Sequence, residues 1–505
     1  MLLLSFLVAV SYAVNMAYCL MYLFNSLRAE LPWSSCRPGW TDLRCLQPGP
    51  NLSWSEEAVC EVDHWGGCTE LVGQSAAQQF WKHQVVGVVG QVGVSQQLAL
   101  YLGLAWLLAS ACQTAGSRLA SRAAWLTTSL PCLALSCLLA SGLSRPGAGR
   151  GLVVLLAPDW AVLTGAAVWR AALGQLLYSL GVGLGPVVML GSRLPAGSPP
   201  LARGDQQLVC TADLLYSLLA TAALGSCLAS LPPATQPDNA PELLFSTLPA
   251  VLARLPTPQL CSAAVFCCLV LLGLGPLTTL LLCLTTSLAE LVPALQPHQA
   301  RLGCLLATAG FLLGLPAISC PAGPADLKLL DSAATGPAAA GLALAELLIV
   351  TWGYGMDKLN GDMQALVGLR PGMWQQFCWA GLAPLALLAA VVAGGTALHF
   401  LSLLPLLVLP LGFLAAVLLS YYYPRPSSLL QPAPAWIARR QDCLYSGAFT
   451  AVPPRLSLLT VDSPARARPY SSCIGTPFKD VNDGRQRSYS ETCPISAERP
   501  LKFFS

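Results

Sequence analysis

An α-helical bundle embedded in a membrane is the fold class that the sequence predicts, and three observations predict it. Of the 505 residues, 55% are hydrophobic and only 10% are charged, whereas soluble domains carry about 25% charged residues. Apolar windows of about 20 residues, the length of a helix that crosses a bilayer, recur from residue 1 to residue 423. No segments of alternating polarity compete with them, which disfavours a β-barrel. The lipid bilayer is therefore the expected surrounding of most of the chain.

About ten of these windows are predicted to be membrane spans. The first, residues 2–27, follows Met1 without a basic start and is longer than the apolar core of a cleavable signal peptide, so we expect it to be retained. The stretch 151–167 is apolar, but Pro158 and Asp159 interrupt it, which favours a loop at the membrane interface. The other windows are 98–112, 123–143, 168–192, 207–231, 261–290, 302–319, 336–353, 377–395 and 399–423.

Basic residues of the short loops predict the orientation, because they favour the cytoplasmic side. With ten spans, both termini of a multi-pass plasma-membrane protein are expected in the cytoplasm. Residues 1–423 would form the membrane domain, and residues 424–505, rich in Pro, Ser and Arg, a mostly disordered cytoplasmic tail. The basic residues that fall on one side under this count are Arg118, Arg122, Arg193, Arg203, Arg301, Lys358 and Arg370.

The long polar loop 32–96 is expected outside the cell, because its acidic residues have no comparable basic excess. It contains the glycosylation acceptor Asn51 in the triplet Asn-Leu-Ser, which is usable only if the loop faces the lumen. Four cysteines permit three pairings, and their spacing alone does not choose among them. The cysteines of this loop are Cys36, Cys45, Cys60 and Cys68.

Neither enzymatic activity nor nucleic-acid binding is predicted. The net charge of +3 is small and spread along loops, unlike the basic patch of a nucleic-acid-binding protein. No Cys and His set has zinc-binding spacing, and the GVGLG run at 181–185 lacks the preceding strand of a dinucleotide-binding loop. The scattered histidines are His64, His83, His298 and His399.

Several motifs follow one another in a fixed order between residue 5 and about residue 380. They are LPWSSCRPGW at 31–40, SRPGA at 144–148, LAPDW at 156–160, VWRAALGQLLYSLGVGLG at 168–185 and WGYGMDKLNGDMQALVGLRPGMWQQFCW at 352–379. Together they resemble the sodium- and chloride-dependent neurotransmitter transporter family, and YSLGVG especially resembles the proline and glycine branch. The resemblance aligns the first span here with the family's third helix, so the family's first two helices have no counterpart in this chain.

The resemblance implies an inverted-repeat symporter bundle with one broken helix. Gly181, Gly183 and Gly185, followed by Pro186, would interrupt that helix at mid-membrane. Backbone groups freed in this way bind ions and zwitterions in this family. Another interpretation stays open, in which the glycines only allow close helix packing.

The resemblance also implies a set of site residues. Asp213 stands where the family has an asparagine, which keeps an oxygen ligand for a hard cation but adds a charge. A carboxylate inside the membrane is costly and suggests function, although an aspartate at the aqueous edge of the helix would explain it equally well. The implied partner is a small amino-acid-like solute, and the implied coupling ions are Na⁺ and Cl⁻. The implied contacts are Tyr12, Tyr178, Ser179, Gly181 and Gly183 for the solute, Ser179 and Asp213 for sodium, Gln175, Ser179 and Ser217 for chloride, and a disulfide between Cys36 and Cys45.

Other residues depart from the family pattern. Gly275 and Pro276 stand where the family has side-chain oxygens at its second sodium site, and neither supplies one. Asp331 matches an outer-gate acid whose arginine partner belongs to a family helix without a counterpart here. Two hypotheses follow. In the first, the protein is a sodium-coupled symporter for a glycine- or proline-like solute. In the second, it is a family member that keeps the scaffold but does not transport, and that either associates with related transporters or persists as a truncated product. The departures favour the second hypothesis and predict no sodium-driven uptake by the chain as written.

Overall fold

A computed structural model describes most of the first 393 residues. The described residues are 1–36, 45–46, 59–62, 68–71, 74–86, 96–114, 117–144, 149, 153, 157, 160–192, 203–228, 242–319, 323–367 and 370–393. The predicted glycosylation site Asn51 lies outside these ranges. For Cys60 and Cys68 only the backbone is described. The predicted domain boundary at 423–424 and the last predicted span also lie outside these ranges.

α-Helices make up most of the described residues. In chain order they are α1 (Leu2–Ser26), α2 (Ala76–Phe80), α3 (Gln96–Thr114), α4 (Ser117–Leu143), α5 (Ala166–Ser179), α6 (Pro186–Ser192), α7 (Arg203–Leu228), α8 (Leu248–Leu252), α9 (Pro258–Leu291), α10 (Gln299–Ser319), α11 (Gly323–Ala333), α12 (Ala339–Leu348), α13 (Met356–Val367), α14 (Met373–Phe377) and α15 (Ala383–Ala393).

Shorter turns and strands join these helices. π-Helical turns cover Trp81–Val86, Leu243–Thr247, Ala334–Ala338, Ile349–Gly355 and Cys378–Leu382, and 3₁₀ turns cover Pro32–Ser34, Trp160–Thr164 and Pro293–His298. The strands are β1 (Cys45–Leu46), β2 (Val59–Val62), β3 (Cys68–Leu71) and β4 (Gln74–Ser75). β1 pairs with β4 in parallel, and β2 pairs with β3 antiparallel, so the loop 32–96, which we call the outer loop after its predicted position, contains two small sheets that the sequence did not predict.

Seven helical segments of the described residues are long and apolar enough to cross a membrane. They coincide with seven of the ten predicted windows and confirm a polytopic helical membrane protein. The window 168–192 is missing from this set because the chain breaks it into α5 and α6. The window 98–112 lies in α3, whose terminal glutamines lower its hydropathy. The window 399–423 lies beyond the described ranges.

Helix α1 is the centre of the bundle. In the most apolar part of α1, 67% of the residues are buried inside the protein, whereas in the corresponding part of α7 only 6% are buried. It packs against α3, α9 and α10, with a face of small residues that includes Ala9, Ala13 and Ala17. Small side chains let helix backbones approach closely in a membrane, so α1 can be enclosed on several sides.

An aromatic cluster joins the outer loop to the bundle. Tyr22 of α1 packs against Trp33, Phe80, Phe245 and Phe266, which come from four different segments. The Tyr22 hydroxyl also donates a hydrogen bond to the Phe245 carbonyl. A buried Tyr with a hydrogen-bond partner contributes both apolar area and orientation. The cluster therefore fixes the start of the outer loop and the segment before α9 to the end of α1.

The disulfide between Cys36 and Cys45 is present, with the two Cα atoms 6.0 Å apart. This confirms the pairing that the family resemblance implied. The bridge links the 3₁₀ turn at Pro32–Ser34 to β1, so it ties the small parallel sheet to the aromatic cluster.

Glycosylation of Asn51 stays a prediction, and it is directly measurable. If the loop faces the lumen, glycosidase treatment should increase the mobility of the wild-type protein on a gel. An Asn51→Gln variant is the control and should migrate like the deglycosylated protein before treatment. An unshifted wild-type band from protein that reached the endoplasmic reticulum would contradict the outer placement of the loop.

Candidate solute and ion site

The helix break lies between α5 and α6. Gly181, Gly183 and Gly185 have φ angles of 64°, 76° and 92°, a region that L-residues with a side chain disfavour. We call residues 180–185 the unwound segment. The break confirms the sequence prediction of an interrupted helix, and it leaves backbone groups at this level outside the regular helical pattern.

Helix α1 supports the unwound segment. The Ser5 side chain, which is fully buried, donates a hydrogen bond to the Leu184 carbonyl. A Cβ atom at Gly183 would lie 2.6 Å from the Ala339 carbonyl oxygen, so α12 also approaches the segment closely. Sequence reasoning missed Ser5, although a usable signal existed: Ser5 and Tyr12 are seven residues apart and so share one face of α1.

Two of the predicted solute-binding residues stack on each other. The rings of Tyr12 in α1 and Tyr178 in α5 have centroids 5.8 Å apart and an interplanar angle of 18°. Tyr178 lies two residues before the unwound segment, so this tyrosine pair forms an aromatic wall beside the freed backbone.

An acidic side chain lies near the tyrosine pair. The Ser11 hydroxyl of α1 donates to Asp331 Oδ1 of α11 at 3.3 Å. Ser11 is buried, and it directly precedes Tyr12 in α1. The residue that the resemblance assigned to an outer gate is thus adjacent to the aromatic wall. Sequence reasoning did not single out Ser11.

The predicted sodium ligands are in contact with each other. The Ser179 hydroxyl donates a hydrogen bond to Asp213 Oδ1, which connects the end of α5 to α7. Asp213 is half-buried, whereas Ser179 is exposed. An oxygen-rich pair with one carboxylate suits a hard cation.

The remaining predicted chloride ligands lie one helical turn from this pair. Gln175 precedes Ser179 by four residues in α5, and Ser217 follows Asp213 by four residues in α7, so each shares a helix face with its neighbour. Both side chains are exposed. The structure therefore places all four polar residues on two helix faces that the Ser179–Asp213 hydrogen bond connects.

The residues that the resemblance assigned to the family's second sodium site lie in α9. The helix continues through Gly275 and Pro276 without a break. The hydroxyls closest in sequence, those of Thr278 and Thr279, donate to carbonyls of their own helix at 2.7 Å and 2.9 Å. A Cβ atom at Gly275 would point toward Thr127 of α4, at 3.9 Å from its hydroxyl oxygen.

Transition-metal binding finds no support in the part of the chain that the structure describes. It contains no group of three or more His, Cys, Asp or Glu side chains that could hold a metal ion. Zinc and similar metals need three or four such ligands.

Comparison with known proteins identifies the family. The family model described as "Sodium:neurotransmitter symporter family" matches residues 1–415. The sodium- and chloride-dependent taurine transporter of Bos taurus is 28% identical over 393 residues, which cover 75% of this chain and 62% of that protein. The same transporter of Rattus norvegicus is 28% identical over 392 residues, or 75% of this chain and 61% of the relative.

A glycine transporter gives a similar match. The sodium- and chloride-dependent glycine transporter 2 of Xenopus laevis is 25% identical over 416 residues, which cover 76% of this chain and 52% of that protein. The chain thus spans 52% to 62% of the length of these curated relatives. All three relatives are named as transporters. Since the family match includes every helix of the site, the chain belongs to the sodium:neurotransmitter symporter family.

Proposed function

We propose that the protein is a sodium-dependent membrane transporter of a small amino-acid-like solute, which binds between the tyrosine pair and the unwound segment. The observation that carries the proposal is the stack of Tyr12 on Tyr178, three residues before the first of three glycines with positive φ. Aromatic rings next to freed backbone groups can hold both the apolar part and the charged ends of such a solute.

The proposed solute is a small zwitterion. The relatives carry the names of taurine and glycine transporters, and the YSLGVG run favours a glycine- or proline-like solute. These compounds share a cationic amine and an anionic group on a short apolar frame. The Tyr12 hydroxyl would donate to the anionic group, and carbonyls of the unwound segment would accept from the amine.

Sodium would bind at Ser179 and Asp213. A hard cation takes oxygen ligands, and this pair supplies a hydroxyl and a carboxylate in contact with each other. Because Ser179 directly follows Tyr178, an ion there lies next to the solute. Ion binding would therefore favour the arrangement that binds solute, as coupling requires.

Thermal unfolding of the purified full chain tests this proposal. We expect glycine, proline or taurine to raise the Tm in sodium buffer and not in choline buffer. A ligand at 100 times its Kd stabilises the protein by about 2.7 kcal/mol. Glycinamide at the same concentration is the control solute, because it keeps the amine but lacks the anionic group to which Tyr12 would donate. No shift with any of the three zwitterions in sodium would contradict the proposal.

A second candidate function is that of a family member that keeps the scaffold and binds without transporting. Gly275 and Pro276 favour it, because neither supplies a side-chain oxygen and the helix is unbroken at that point. Such a protein would act by associating with related transporters in the membrane.

Uptake of radiolabelled solute separates the two candidates. Cells with confirmed surface protein are assayed in sodium and in choline medium. Saturable sodium-dependent uptake would support transport. Absence of such uptake is expected from the second candidate, and it is also the prediction for the chain as written.

The proposed orientation has both termini in the cytoplasm of a plasma-membrane protein. It is supported by the basic short loops under an even span count. Epitope tags at Met1 and Ser505 should be inaccessible to antibody in intact cells and accessible after permeabilisation. Surface labelling of either tag would contradict the orientation.

A further inference from the structure

We infer that Ser5 is a positioning residue, whose hydroxyl holds the unwound segment in the arrangement that binds solute. Solute affinity would then depend on a side chain outside the proposed solute contacts. The inference rests on the proposed function, in which carbonyls of the unwound segment bind the amine of the solute. Its basis is the hydrogen bond from the Ser5 hydroxyl to the Leu184 carbonyl, which joins α1 to the segment.

The unwound segment is held only weakly by its own backbone. The Val182 N–H donates to the Leu177 carbonyl at 2.9 Å. The Leu184 N–H, however, lies 3.4 Å from the Gly181 carbonyl oxygen, outside the usual range of about 2.7–3.2 Å. A segment with weak local bonds opens at a low free energy unless other groups hold it. Its geometry therefore depends on contacts from neighbouring helices.

The contact made by Ser5 differs in kind from the contacts at the glycines. A Cβ atom at Gly183 would lie 2.6 Å from the Ala339 carbonyl oxygen, and one at Gly185 would lie 3.1 Å from Cys283 Sγ. These contacts are steric, so they limit the approach of the segment to α12 and α9. The Ser5 hydroxyl instead makes a directional bond, and its side chain is 0% exposed. Loss of this donor would leave a buried carbonyl without a partner, which is costly.

Ser5 also has a second acceptor, which makes the contact reversible. Its hydroxyl oxygen lies 3.1 Å from the Met1 carbonyl oxygen, one turn earlier in α1. A serine hydroxyl has one hydrogen to donate, and in helices it often donates to the carbonyl four residues earlier. When the segment moves, the hydrogen can pass to Met1, so Ser5 does not become a buried donor without a partner. The hydroxyl thus stabilises the solute-binding arrangement without preventing its release.

The test compares Ser5→Ala and Ser5→Cys in the purified full chain. Glycine, proline and taurine are titrated in sodium buffer, with Tm as the readout. Ser5→Ala should raise the solute Kd about tenfold, because a buried acceptor loses its donor. Ser5→Cys keeps a weaker donor, so its Kd should lie between those of the wild type and Ser5→Ala. This order follows donor strength, which a role in packing alone would not produce.

Ser26→Ala is the matched control. Ser26 is 0% exposed near the other end of α1, and its hydroxyl donates to the Tyr22 carbonyl of the same helix at 2.7 Å. The variant removes the same atom from the same helix without touching the unwound segment, so its solute Kd should equal that of the wild type.

Hydrogen exchange of the solute-free protein adds a readout that does not depend on solute. Amides of the unwound segment should exchange about tenfold faster in Ser5→Ala than in Ser26→Ala. Equal exchange in the two variants would overturn the inference. Faster exchange with a wild-type solute Kd would also overturn it, because the position of the segment would then not govern binding. If no solute raises the Tm of the wild type, the proposed function is wrong, and the inference falls with it.

Discussion

Gly183→Ala is expected to abolish solute binding and to destabilise the protein. The residue has a φ of 76°, and holding an alanine in such a conformation costs about 1–3 kcal/mol. The added Cβ would also lie 2.6 Å from the Ala339 carbonyl oxygen. That neighbour is backbone, so it cannot rotate away, and the unwound segment must shift. The measurement is the solute-dependent rise in Tm, together with the Tm of the protein without solute.

Gly191→Ala provides the matched control. Gly191 lies in α6, and a Cβ atom there would meet no atom within 4 Å. Alanine is favoured over glycine in a helix by about 1 kcal/mol, so this variant should bind solute normally and be no less stable than the wild type. A Gly183→Ala protein that binds solute with wild-type affinity would show that the unwound segment does not form the solute site.

Tyr12→Phe is expected to weaken solute binding with little loss of stability. The ring would still stack on Tyr178, because the stack involves only the ring faces. The lost group is the hydroxyl proposed to donate to the anionic end of the solute. A hydrogen bond to a charged group contributes about 1.5–3 kcal/mol, which corresponds to roughly a 10- to 100-fold rise in Kd. Titration of solute in the thermal assay measures this change.

Tyr101→Phe is the control for this variant. Tyr101 lies in α3 and stacks on Phe24, away from the unwound segment, so its hydroxyl should not affect solute affinity. Tyr12→Ala can be compared with Tyr12→Phe, because it removes the ring as well as the hydroxyl. Truncation of a packed aromatic residue lowers the free energy of unfolding by about 3–5 kcal/mol. If Tyr12→Phe leaves the Kd unchanged, Tyr12 is a packing residue and the solute lies elsewhere.

Sequence reasoning identified the membrane class because that property depends on composition. Windows of about 20 apolar residues have few alternatives to a spanning helix, and seven of them coincide with helices of the structure. It also located the break, since three glycines and a proline within six residues cannot continue a regular helix. It did not predict the two small sheets of the outer loop, whose strands are two to four residues long and too short for a visible alternation.

The candidate site shows where such reasoning ends. Tyr12, Tyr178, Ser179 and Asp213 were recognised by family resemblance, but no periodicity in the chain indicates that Tyr12 stacks on Tyr178. Ser5 shares a face of α1 with Tyr12, but this spacing does not identify the group to which its hydroxyl donates. Its buried hydroxyl becomes meaningful only beside the Leu184 carbonyl.

The sequence by itself determined that this is a helical membrane protein with a broken helix, because hydrophobic length and glycine conformation are local properties. Only the tertiary structure decided that Ser5 supports the unwound segment, that Asp331 lies beside the tyrosine pair, and that Ser179 donates to Asp213. Helical periodicity tells which residues share a face, but not which helix that face meets. Contacts between distant segments depend on how all the helices pack together, and the chemistry of this site arises from those contacts.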